Sequence, residues 1–164
     1  MKLPDGWMRS GSNPEQYDMG VDEDVLHNES KSSTIRFTSD EEPAGFGSLS
    51  TTLSAEKYLD KRIRMTGFVK TEHADWAGLW LRIDGPNPEQ SLGFDNMYAR
   101  QIKNTTEWKR YEVVLDVPGN ATEIAYGALL TGKGQVWFTD FNFEEVGNDV
   151  ASTVKKSRKA TARI

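Results

Sequence analysis

The sequence predicts an all-β fold, an antiparallel sandwich of about nine short strands, and three observations carry that expectation. Segments with period-two alternation, or rich in β-branched and aromatic residues, recur along residues 16–146. Turn-forming strings separate them: GSNP, SDEEPAG, DGPNP, VPGN and TGKGQ. Helices long enough to cross over between parallel strands are missing, which argues against a βαβ arrangement.

Taken in order, the first strand candidate is the weaker segment 16–21. Residues 34–38 (TIRFT) follow, with Ile35 and Phe37 on one face, and then a second weaker segment at 47–53. Residues 54–61 (SAEKYLDK) read as a helix of about two turns. Residues 62–70 (RIRMTGFVK) place Ile63, Met65 and Val69 on one face, with Arg62, Arg64 and Lys70 opposite. Residues 78–84 (GLWLRID) place Leu79, Leu81 and Ile83 together, and a weaker segment lies at 91–94. Residues 108–117 (WKRYEVVLDV) align Tyr111, Val113, Leu115 and Val117. Residues 123–131 (EIAYGALLT) are apolar on both faces, as in a central strand. The last strand, 135–146 (QVWFTDFNFEEV), would put Trp137, Phe141 and Phe143 on one face.

A chain of 164 residues fits one domain, and a domain of that size buries roughly 70% of its unfolded surface. The absence of cysteine excludes disulfides, zinc–thiolate sites, iron–sulfur clusters and thiol nucleophiles. No apolar run is long enough to span a membrane and the first residues lack a secretory signal, so a cytoplasmic location is expected. The net charge is −5, unevenly spread. Residues 148–164 carry five basic residues against one acidic, a net of +4, which leaves −9 on the rest. The expected organisation is therefore a domain over 1–147 and a disordered basic tail over 148–164. The acidic body makes nucleic acid an unfavourable partner.

Several strings together carry a resemblance: GFGSLSTTLSAEKYLDKRIRMTGFVKTE, WAGLWLRIDG, LGFDNM, TTEWKRYEVVLDVP and GQVWFTDFNFEEV. Over about residues 5–147 the chain resembles a family of bacterial domains of unassigned function, found alone or appended to transcriptional regulators, including AraC-type ones. It also resembles, more distantly, the jelly-roll carbohydrate-binding modules. The resemblance implies a galactose-binding-type jelly roll of two antiparallel sheets, one face often concave, and it implies no chemistry. In such modules an aspartate in the closing strand commonly ligates a structural calcium, which would make Asp140 a metal ligand. One departure bears on that. His27 is followed by Asn28, Glu29 and Ser30, with none of the glycine that the pattern carries there. Without calcium, Asp140 needs a cationic or amide partner, and no other cofactor is expected.

The most informative strand for a site is 76–84. Its odd positions are apolar, while Trp76, Gly78, Trp80, Arg82 and Asp84 alternate onto the outer face, roughly 6.6–7 Å apart. An indole plane packs on the apolar face of a pyranose, and charged groups bond its hydroxyls. The same residues also read as a tryptophan covering the sheet beside a surface ion pair. Asp95, Asn96 and Arg100 form the second candidate. They either line the same cavity as Trp80 and Arg82 or cap a turn and make a structural ion pair. Tyr98, Trp108 and Phe68 could add aromatic wall.

Enzymatic motifs are missing. There are two histidines, His27 and His73, and no H-E-x-x-H, G-x-S-x-G, Walker loop or G-x-G-x-x-G. The expected function is non-catalytic binding of a carbohydrate or similar small polar ligand on one sheet face, in a sensor or accessory domain. The alternative is a protein-interaction or homo-oligomerisation domain anchored by exposed Trp76 and Trp80. A third reading is an undetected hydrolase, with Asp84 and Asp95 as its carboxylate pair.

Overall fold

The computed structural model describes residues 1–154. Nine strands follow in order: β1 (Met8–Ser10), β2 (Tyr17–His27), β3 (Ser30–Phe37), β4 (Phe46–Ser54), β5 (Lys61–Asp84), β6 (Ser91–Asp95), β7 (Ile102–Val117), β8 (Glu123–Thr131) and β9 (Gln135–Val146). All the pairings are antiparallel. The hydrogen-bonded path runs β1-β4-β8-β5-β9-β3-β2, with β6 and β7 also on β5. This is the expected β-sandwich of jelly-roll type. Among the described residues no helix is long and apolar enough to cross a membrane.

The two strands expected at 62–70 and 78–84 are one strand. The N-terminal half of β5 pairs with β9 and β7, and its C-terminal half pairs with β8 and β6. The strand therefore belongs to both layers. It turns between them at residues 71–77, where the register with β7 shifts three times and His73 (φ 50°) and Asn104 (φ 66°) adopt left-handed backbone. The helix expected at 54–61 is only a 3-10 turn at Glu56–Tyr58. Eight residues nucleate a helix poorly, and Tyr58 and Leu59 pack onto the core instead.

The core lies between the layers. Ile63, Met65 and Val69 face inward from one half of β5, and Leu79, Leu81 and Ile83 from the other. Tyr17, Ile35, Leu49, Val113, Leu115, Ile124 and Phe138 meet them. Trp7 adds an aromatic cluster with Tyr126, Phe138 and Phe141. The face expected for β9 changes partway along. Asp140 (φ 57°) sits in a bulge opposite the Thr66–Phe68 step, so Phe138, Phe141 and Phe143 reach the core while Trp137 stays on the other face.

The boundary expected at residue 147 also moves. Thr153 bonds Val114 on the free edge of β7, donating its amide to the carbonyl (3.0 Å) and receiving the Val114 amide at its hydroxyl (2.9 Å). Val154 packs against the core. Residues 148–154 thus cover an edge strand rather than fray. The basic residues Lys155, Lys156, Arg158, Lys159 and Arg163 lie outside the described residues.

Candidate functional site

The alternation read from residues 76–84 holds. Trp76, Trp80, Arg82 and Asp84 leave the outer face of β5, beside Ala125 and Leu129 of β8. Exposure does not follow from that. Trp80 is only 3% exposed, enclosed by Trp76, Phe46 and Phe94. Its Nε1 donates to Ser48 Oγ on β4 at 2.9 Å. The indole reaches across β8 at Gly127, which pairs with Trp80 on one side and Ser50 on the other. A Cβ at Gly127 would run into the Leu49–Ser50 backbone of β4, so glycine is needed for that close approach. The Arg82 guanidinium lies 5.7 Å from the Trp80 ring centroid. Trp80 is thus the floor of the face, not the exposed stacking platform that its position in the strand implied.

Arg82 and Asp84 are fixed as a bidentate pair, with Nε to Oδ1 at 2.8 Å and Nη2 to Oδ2 at 3.2 Å. They line an open cleft of about 490 Å³ at the end of β5, together with Glu89, Ser91, Thr122 and Glu123. Three carboxylates therefore face one guanidinium. The Ser91 hydroxyl is buried there without a hydrogen-bond partner, which is rare for a buried polar atom. Trp76 remains half-buried at the other end of the face, with Tyr98 set edge-on to it at 6.1 Å. Tyr98 is 63% exposed. Gly78 lets the 96–97 backbone pass over the strand, because a Cβ there would meet the Asn96 carbonyl at 3.1 Å.

Asp95, Asn96 and Arg100 do not join this face. Asp95 pairs with inward-facing Leu81 and is 6% exposed. One oxygen receives the Met97 amide (2.8 Å), and the other receives Arg100 Nη2 (3.0 Å) and the Thr153 hydroxyl (2.6 Å). Asn96 Oδ1 accepts the Tyr98 amide at 3.0 Å. These three residues close a turn and tie down the segment before Val154. The residue of β6 that does reach the face is Phe94, opposite Arg82. Asp84 and Asp95 therefore leave neighbouring strands on opposite faces, which removes them as a pair flanking one glycosidic bond.

Phe68 and Trp108 lie on the outer face of the other layer, not beside Trp80. They pack on His27 at centroid distances of 4.1 and 5.3 Å. His27 Nδ1 meets Asp140 Oδ2 at 2.7 Å. Among the described residues no three histidine or carboxylate side chains converge as a metal site. With an imidazole nitrogen against its carboxylate, Asp140 has the surroundings of an ion pair. The missing glycine after His27 has a local explanation. Asn28 (φ 46°) and Glu29 (φ 69°) form a two-residue hairpin turn with both residues left-handed.

Sequence reasoning missed Ser91, Glu89, Glu123 and Phe94. Ser91 and Phe94 sat in a segment too short for its faces to be assigned, and the two glutamates reach the cleft only through the fold.

Comparison with known proteins adds the following. No protein-family model matches the chain. Over 149 residues it is 40% identical to the uncharacterized HTH-type transcriptional regulator YbfP of Bacillus subtilis (strain 168), covering 90% of this chain and 50% of that protein. The chain thus spans about half the length of this curated relative. Among solved structures it is similar to the CBM22-1 xylan-binding domain of Paenibacillus barcinonensis Xyn10C, with a TM-score of 0.58 and 14% identity over 89% of each chain. It is similar to the TmCBM61 module in complex with β-1,4-galactotriose, with a TM-score of 0.54 and 16% identity, over 88% of this chain and 91% of that one. It also aligns with the enzymatically active domain of tailspike protein 4 of bacteriophage CBA120, at TM-score 0.63 and 12% identity, over 87% of this chain but 20% of that chain. The structural likenesses show the jelly-roll fold shared with carbohydrate-binding modules.

Proposed function

We propose that this chain is a non-catalytic binding module that takes a neutral saccharide, or a similarly polyhydroxylated small ligand, on the outer face of the β4-β8-β5-β6 layer. The observation that carries the reading is the cleft at the end of β5, where the fixed Arg82–Asp84 pair borders one open space together with Glu89, Thr122 and Glu123. Trp76 and Tyr98 supply aromatic surface farther along the face. Trp80 supports the floor and does not touch the ligand. The similarity to half of an HTH-type regulator supports a sensing role, in which ligand occupancy is read by a regulator, and the carbohydrate-binding modules of like fold support a sugar as the ligand class.

The test is calorimetric titration with neutral oligosaccharides, xylo- and galacto-oligomers first. Arg82→Ala and Trp76→Ala should each weaken binding about tenfold or more while leaving the melting temperature within a few degrees of the parent. Binding unaffected by both substitutions would move the site off this face. No binding by the parent would sink the reading. Weight would then shift to the interaction-domain alternative, whose anchors are now exposed Tyr98 and half-buried Trp76, since Trp80 is enclosed.

A further inference from the structure

A second concavity opens at the edge of the sandwich, between β7 and the 96–102 segment, with a volume of about 600 Å³. Met97, Ile102 and Tyr111 form its apolar side, and Lys103, Lys109 and Arg110 its rim. Of the acidic residues of β7, Glu112 itself lines the cleft, and both it and Glu107 are already paired with cations. Glu107 pairs with Lys70 at 3.1 Å and Glu112 with Arg64 at 3.6 Å. Arg100, also in the lining, is held by Asp95 at 3.0 Å. Among the described residues Lys103, Lys109 and Arg110 have no carboxylate within salt-bridge distance. Lys109 Nζ is instead 5.5 Å from the centroid of the Tyr111 ring, inside the cleft. Three cations without a carboxylate partner therefore border one cleft of a protein whose net charge is −5, Lys109 from the Val69 side of β7 and Arg110 from the Phe68 side. Thr153 lines the same cleft.

We propose that this cleft binds a small phosphorylated ligand, a phosphomonoester whose dianion sits among Lys103, Lys109 and Arg110. Like charges gathered without counter-charge are destabilising until an anion joins them. Two ammonium groups and a guanidinium fork match the charge and the several acceptor oxygens of a phosphate better than a single carboxylate would. The volume falls within the range of small-molecule sites, roughly 300–1,000 Å³. The acidic remainder of the surface disfavours a long polyanion, which would have to run past the cleft over like charge. The site is separate from the saccharide face, because no residue is shared between the two linings.

The experiment titrates the full chain with inorganic phosphate, a hexose 6-phosphate and the parent hexose. The hexose phosphate should bind, and phosphate should compete with it. The double variant Lys109→Gln/Arg110→Gln should bind it at least about tenfold more weakly with an unchanged melting temperature, since both side chains are exposed. Arg82→Ala should leave phosphate binding intact, and the double variant should leave any neutral-sugar binding intact, so the two sites fail separately. Phosphate and hexose phosphate without affinity, or affinity unaltered in the double variant, would overturn the proposal. So would tight, steeply salt-dependent binding of duplex DNA that phosphate does not displace, which would identify the surface as one for a polyanion.

Discussion

Replacing Trp80 with alanine removes an indole that fills the space between Trp76, Phe46, Phe94 and Leu129, and it removes the hydrogen bond that the Ser48 hydroxyl accepts while it donates to the Ala128 carbonyl. A buried aromatic truncated in this way costs about 3–5 kcal/mol. Trp80→Ala should therefore melt far below the parent in a thermal scan. A variant of parental stability would mean the ring is not part of the packing. The outward direction of this side chain was legible in the sequence, because alternation reports which face a residue leaves. Its burial was not, because the cover comes from Phe46 on β4, Phe94 on β6 and Leu129 on β8. At Asp22 two effects oppose each other. Burial pushes the carboxyl up, but the Trp137 indole N–H (3.0 Å) and the amides of Asp24 and Val25 favour the charged form and hold it below its usual value. A depressed folded value means stability present above the unfolded carboxyl's pKa, near ~4, and lost as the pH falls through the folded one. Urea midpoints measured across the acid range should fall less steeply for Asp22→Asn than for the parent. Superimposable acid limbs would remove Asp22 from the linkage.

At the scale of elements, the strands with strict alternation kept their expected faces, and the misreadings fell at irregularities. The five residues TEHAD between the two halves of β5 show no period, so two strands were expected where one bends. The bulge at Asp140 inverted half of β9, and a single inserted residue leaves no mark in composition. The segment 148–154 looked like a tail because it is small and polar, but its value lies in hydrogen bonds to Val114 and Asp95. Ending the chain at Gly147 should lower the melting temperature by several degrees relative to a chain ending at Val154. Equal melting temperatures would show that the edge of β7 needs no cover.

On the scale of the whole molecule, β5 supplies inward side chains to both layers and pairs with four other strands. It also carries Trp76, Arg82 and Asp84 of the proposed saccharide face, while β7, along its edge, carries the cations of the proposed phosphate cleft. Every strand that pairs with β5 lies later in the chain, the last ending at Val146, about sixty residues beyond Asp84. On a ribosome adding roughly 5–20 residues per second, the strand that feeds core side chains to both layers therefore emerges several seconds before its last partner exists. No part of the sandwich can be completed and set aside while the rest is made. Assembly must wait for β9 and then close distant contacts together, which makes this a slow-folding topology and leaves the newborn β5 as the segment most in need of protection from aggregation.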